Sequence, residues 1–211
     1  MTHDLSPVGR VLRSSTTEFV VGCQDLARVP TFGSFVKVKA HDGIWVYGAA
    51  YNVLIDDDPF VRQIIGNPHI PREVALDQKE NRQTPIEVKV LVLGYARDGL
   101  VYQYLPPQPP ATLSDVYPCT ASEVTAFTDQ LSYLRTILFT PQIPADELLA
   151  ANLREAYLRR GGDREFLVEA GREAARLLKD EYDRLKAILS RIRPSLFRSS
   201  TPEPARRRGV T

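Results

Sequence analysis

The feature that most constrains this chain is a change of apolar period near residue 120. Between residues 8 and 104 hydrophobic side chains recur at every second position, the spacing of strands; beyond Thr120 they recur every three or four, the spacing of helices. One element cannot carry both periods, so the chain reads as a β part followed by an α part. Strands are expected over 8–12, 18–21, 35–39, 44–54, 86–93 and 100–104, enough to close a small barrel. The expected fold class is α+β: a small six-stranded β-barrel followed by a three-helix C-terminal region. Residues 6–120 form the barrel with a long insertion at about 55–85, residues 121–192 the helical unit, and residues 193–211 a disordered basic tail.

Turn chemistry supports this division. Asp42-Gly43 and Asp98-Gly99 each stand between β-rich runs, where glycine supplies the positive φ that a tight hairpin needs. In Phe35–Lys39 the lysines alternate with the valines, the pattern of a strand with one wet side. Trp45 and Tyr47 share a face of the next strand and read as cross-strand packing rather than as a base-stacking platform. Within the insertion, Pro59, Phe60, Val61, Ile64 and Ile65, closed by Gly66, fit one or two helical turns. The run Pro106-Pro107-Gln108-Pro109-Pro110 reads as a stiff polyproline spacer.

Helix signals follow. Thr120 with Glu123 makes a capping box for a helix over 122–139, stopped by Thr140-Pro141. Pro144, Asp146 and Glu147 open a second helix, which Gly161-Gly162 ends. The third runs over 163–192, and its Leu178, Tyr182, Leu185 and Leu189 make one apolar stripe. Val124, Phe127, Leu131, Leu134 and Leu138 on the first helix can cover that stripe; a second subunit, giving a homo-oligomer, is the other way to cover it.

Charged residues make up 25% and hydrophobic ones 43% of the chain, and the net charge is +1. Global charge therefore gives no reason to expect a polyanionic partner, and only local basic clusters remain: Arg159-Arg160 and Arg206-Arg207-Arg208. These five arginines are the candidate contacts to nucleic acid or to a protein partner. The first residues lack a basic segment followed by an apolar run, and no stretch has the length of a membrane span, so a cytoplasmic protein without membrane contact is expected. Cys23 and Cys119 lie far apart without metal-ligand spacing and read as buried thiols.

No Gly-Lys-Ser or Gly-Lys-Thr phosphate loop, nucleophile elbow, zinc helix or dinucleotide loop occurs, so no catalytic, cofactor or metal residue is assigned. His3, His41 and His69 fall in the terminus, a hairpin turn and a Pro-rich loop, which disfavours general-base work. Asp56, Asp57 and Asp58, or Glu80, could hold a hard cation in a metal-dependent hydrolase, but consecutive loop carboxylates more commonly form a solvated turn.

The stretches Pro7-Val8-Gly9-Arg10-Val11, Thr16-Thr17-Glu18-Phe19-Val20-Val21 and Gly33-Ser34-Phe35-Val36-Lys37-Val38 resemble the HAS barrel shared by HerA-type DNA translocases and rotary ATP synthases. Residues 45–50 resemble that family's strand leaving an Asp-Gly turn, and Val90-Leu91-Val92-Leu93-Gly94 its late strand. The Pro-rich exit with Asp115-Val116-Tyr117-Pro118-Cys119 resembles the hand-over to whatever follows the barrel. The resemblance spans residues 6 to about 128 and rests on the order of these features. It implies a recruiting or assembly role beside a HerA-like ATPase or its associated nuclease, without catalysis, because helices stand where the ATPase core would follow. A stand-alone nucleic-acid-binding module is the alternative. Gly9, Gly33 and Gly94 match the family's glycines and need no more than a tight turn or a close crossing of strands. Because no segment offers the amides and lysine that a triphosphate needs, we expect no heat of ATP binding in a calorimetric titration of the purified chain; stoichiometric binding would contradict this.

Overall fold

The computed structural model describes residues 6–56, 73 and 84–192. Seven antiparallel strands come in the order β1 (Gly9–Ser14), β2 (Glu18–Cys23), β3 (Phe35–Lys39), β4 (Trp45–Leu54), β5 (Ile86–Arg97), β6 (Leu100–Tyr102) and β7 (Asp115–Pro118). Six of them close on themselves as β1-β2-β5-β4-β3-β7, each hydrogen-bonded to the next and β7 back to β1. The expected six-stranded barrel is therefore present, with one exchange of membership. β7, which the periodicity did not mark, closes the ring, and β6 hangs from the far end of β5 through Tyr95↔Tyr102 and Arg97↔Leu100. With four residues and a single buried side chain, Val116, β7 is too short to display a period.

Register shifts between Val11 and Arg13 of β1, between Ala50 and Asn52 of β4, and opposite Tyr47 and Gly48, where β5 carries the extra residue, let the sheet curl. Asp42 and Gly43 have φ of 57° and 72°, Asp98 and Gly99 of 52° and 79°, the left-handed conformations that both Asp-Gly turns call for. The polyproline run does span β6 to β7, and it is anchored: Pro106 and Pro110 are buried, and the Ser14 hydroxyl donates to the Pro110 carbonyl at 2.6 Å.

Five helices follow where three were expected: α1 (Ala121–Thr128), α2 (Tyr133–Phe139), α3 (Ala145–Arg159), α4 (Arg164–Leu177) and α5 (Tyr182–Arg191). The capping box at Thr120 and Glu123 and the stop at Gly161-Gly162 stand as expected. The 122–139 helix is broken by Gln103, whose amide donates to the Phe127 and Gln130 carbonyls and whose oxygen accepts from the Tyr133 N–H. A side chain from beyond β6 thus takes the groups that a continuous helix would pair internally. The 163–192 helix breaks after Leu177, and the break sorts the expected stripe. Leu178 is buried and Leu185 and Leu189 pack on the helical core, but Tyr182 is 71% exposed, and Ile188 takes the buried position instead.

There are two apolar cores. One fills the barrel with Phe19, Val21, Val38, Val46, Val90 and Val116. The other lies between the outer wall of β3, β4 and β5, which contributes Phe35, Tyr47, Ala49, Leu91 and Leu93, and the helices. Phe127 is its node, stacked on Tyr47 at 5.3 Å and edge-on to Phe35 at 6.1 Å. The loop before β3 is seated by Gly33, whose carbonyl accepts from the Asn152 side chain of α3 at 2.9 Å. Gly33 has φ of 87°, and a Cβ there would sit 2.6 Å from that of Ala151. Strain and overpacking together lead us to expect Gly33→Ala to lose about 2–4 kcal/mol in urea denaturation; a variant within about 0.5 kcal/mol of wild type would place α3 elsewhere.

Candidate functional site

The described residues enclose a half-open cleft of about 1030 Å³, at the top of the usual range for ligand sites. The barrel gives one side of it, through Glu18 of β2, Tyr51 and Asn52 of β4, and Lys89, Leu91 and Leu93 of β5. Phe139 of α2 and the turn Thr140 to Pro144 give the other, and Gln103, Tyr104 and Leu105 close one end. Residues 15–17 reverse the chain between β1 and β2 through the Ser15 hydroxyl, which accepts from the Glu18 N–H at 3.1 Å, and this turn delivers Glu18 to the rim. Its carboxylate accepts from the Tyr51 hydroxyl at 2.6 Å. Burial and that hydrogen bond push the Tyr51 pKa well above the ordinary phenol value, so the phenol keeps its proton. Tyr104, Leu105 and Phe139 are exposed although apolar. Tyr104 is held edge-on to Tyr95 and Tyr102, at 5.5 and 5.6 Å, by the β5–β6 hairpin.

The residues singled out from sequence are not gathered here. Arg159 sits at the end of α3, paired with Glu155 at 2.7 Å. Arg160, at 15% side-chain exposure, points inward. It donates to Asp129, Asp163, the Thr125 carbonyl and the Thr128 hydroxyl, and its guanidinium lies 4.8 Å from the Phe166 ring. Burial opposes its charge, yet the bonds to the two aspartates outweigh that and raise its pKa further. Arg160 thereby ties α1 to the α3–α4 turn. Arg206, Arg207 and Arg208 lie outside the described residues, as do Asp57, Asp58, Glu80, His3, His69 and the helical turns expected around Phe60. Asp56 and His41 are exposed. Among the described residues no group of three or more His, Cys, Asp or Glu is placed to hold a metal ion, and no helix is long and apolar enough to cross a membrane. Cys23 and Cys119 are buried free thiols, and burial raises the Cys23 pKa to about 11.

One charged pair that the sequence hid is buried. The alternation in β3 places Lys37 on the wet side, but the residue is only 7% exposed. It reaches across the wall to the Glu123 carboxylate, 4.8 Å from the Trp45 ring. That side of β3 is dry because α1 lies on it. Burial works against the charge of Glu123, but Lys37 and the Thr120 N–H and hydroxyl more than offset it and hold the Glu123 pKa below the usual carboxylate value.

No family model and no curated protein matches this chain.

Because the folded pKa of Glu123 lies below the unfolded value of about 4.3, its contribution is present above that pH and fades as pH falls through the folded value. We expect the stability gap between wild type and Glu123→Gln, followed by urea denaturation, to shrink steadily below about pH 4. Lys37→Met, which leaves a half-buried carboxylate unpaired, is expected to lose about 2–4 kcal/mol at neutral pH.

Proposed function

We propose that this chain is a non-catalytic, cytoplasmic adaptor or assembly subunit that docks on a separately encoded HerA-like ATPase, or on its associated nuclease, in a DNA-processing system. The closed ring of strands is the observation that carries this reading. The stretches that resemble the HAS barrel supply β1, β2 and β3, a segment of β5 and, through residues 115–119, the closing strand β7. That closing strand runs into the cap of α1 with only Cys119 between them. The place where a HerA-type chain hands over to its ATPase is thus occupied by a helix that returns to the barrel wall.

The helices supply their own cover for most of their apolar surface, so the partner has to meet the barrel's other walls or the cleft. Direct nucleic-acid binding is the competing reading, and the internal bonding of Arg160 leaves it Arg159 and the three tail arginines. The two are separated by gel filtration with light scattering of the chain mixed with a HerA-like ATPase or its nuclease, and by DNA titration of the chain alone. A complex of defined stoichiometry is expected. Failure to join either the ATPase or the nuclease would overturn the adaptor reading, and DNA affinity falling steeply with salt would favour the nucleic-acid module.

A further inference from the structure

We infer that α5 is an exchangeable arm: with residues 178–181 straightened, α4 and α5 become one long helix, and α5 docks on a second copy of this chain in the place it holds on its own, giving a dimer with two exchanged arms. The fold itself names the occupant, since the docking site is the one that α5 already fills within a single chain.

The turn between the two helices is short and holds nothing that must stop a helix. Leu178, Lys179, Asp180 and Glu181 include neither glycine nor proline. The apolar period runs straight through them: Leu167, Ala170, Ala174 and Leu178 form a buried row on α4, and Tyr182, Leu185 and Leu189 continue its steps of three and four. The chain bends at Leu178, with φ of −108° and ψ of 31°, and at Glu181, with φ of −122° and ψ of 56°. No side chain caps α5 at Glu181. A straight helix would pair the last carbonyls of α4 with the first N–H groups of α5, groups that two separate helix ends leave without partners inside a helix. Bending also costs the row one member, because Tyr182 is 71% exposed while Leu178, Leu185 and Leu189 are covered.

The contacts that hold α5 are the same in the exchanged dimer. Arg184 donates to Asp146 at 2.6 Å and to the Leu138 carbonyl at 3.3 Å, and Arg191 pairs with Glu147 at 2.8 Å. Arg154 donates to the Arg191 carbonyl at 3.2 Å, and Ile188 is fully buried. Each of these bonds runs from α5 to α2 or α3, which the barrel wall holds in place, so a second copy offers the arm an identical seat. Exchange of an identical element leaves only two differences between monomer and dimer, the shape of the turn and the association itself. The straightened turn gains helical hydrogen bonds. Tyr182, next to Leu178 on one helical face, then lies where the two turns cross and leaves water.

Analytical ultracentrifugation of the full chain from micromolar to millimolar concentration is expected to show a monomer–dimer equilibrium. Asp180→Ala favours a helix across the turn and should tighten the dimer about threefold or more, whereas Lys179→Gly with Asp180→Gly should weaken it about tenfold or more. Both positions are exposed, at 78% and 85% of the side chain, so neither change touches the packing of the monomer. Exchange itself is read from two charge reversals in separate chains. Arg184→Asp and Asp146→Arg each set like charges together within one chain, but when the chains are mixed each arm meets the other's seat and both pairs regain opposite charges. Native mass spectrometry should then show the heterodimer above its statistical share. If a charge-reversed chain does not fold alone, Tyr182→Ser decides instead: dimer affinity falls and the melting temperature of the monomer stays the same. The inference is overturned if wild type and Asp180→Ala both stay monomeric at millimolar concentration, if the turn variants or Tyr182→Ser leave the dimer unchanged, or if the mixed chains give no excess of heterodimer. The dimer needs no ATPase, so its failure leaves the adaptor reading as it was.

Discussion

Everything outside the barrel depends on a wall of three strands that is apolar on both faces. β3, β4 and β5 turn Val36, Val46 and Val90 into the barrel and Phe35, Tyr47 and Leu91 out of it. A sheet with two dry faces has to be covered twice, and here the ring closes over one face while α1, α2 and α3 lie on the other. Burying a side chain the size of Phe127 is worth about 1.5–3 kcal/mol, and that gain is realised only when barrel and helices are assembled together. The helical region is therefore a layer of the barrel's own core as much as a unit beside it.

Polar ties set where that layer sits. Apolar contact alone would let helices slide along a smooth wall, because it has little directionality. Gln103 holds the α1–α2 junction, Lys37 holds the first turn of α1, Asn152 holds α3 to the loop before β3, and Arg184 joins α5 to Asp146 and to the Leu138 carbonyl. Each bond reaches between elements far apart in sequence. Each involves a buried or half-buried group, for which a lost partner is costly.

The same arrangement creates the cleft. α2 is short, and Phe139 with residues 140–144 lines the cleft opposite Tyr51, Asn52 and Lys89 of the barrel wall. Among the described residues the cleft gathers polar and apolar side chains from both the barrel and the helices. At its edge the Glu18 carboxylate accepts from the Tyr51 hydroxyl.

What the sequence determined by itself were the local facts. The β-rich runs at residues 18–21, 35–39 and 86–93 marked strands because successive side chains of a pleat turn to opposite faces with a period of two. Asp42-Gly43, Asp98-Gly99, the Thr120 cap and Gly161-Gly162 marked turns and ends because their chemistry acts within a few residues. What only the tertiary structure decided was anything set by a partner distant along the chain. β7 is a strand because β1 and β3 leave a gap of one strand between them, and four residues carry no period of their own. Lys37 is dry because α1, more than eighty residues later, covers it. The first helix is two helices because Gln103 competes for its backbone, and Tyr182 faces water because α5 turns to lie along α3. The cleft is made of side chains from β2, β4, β5 and the α2–α3 turn, none of which carries a motif, so it exists only once those elements meet.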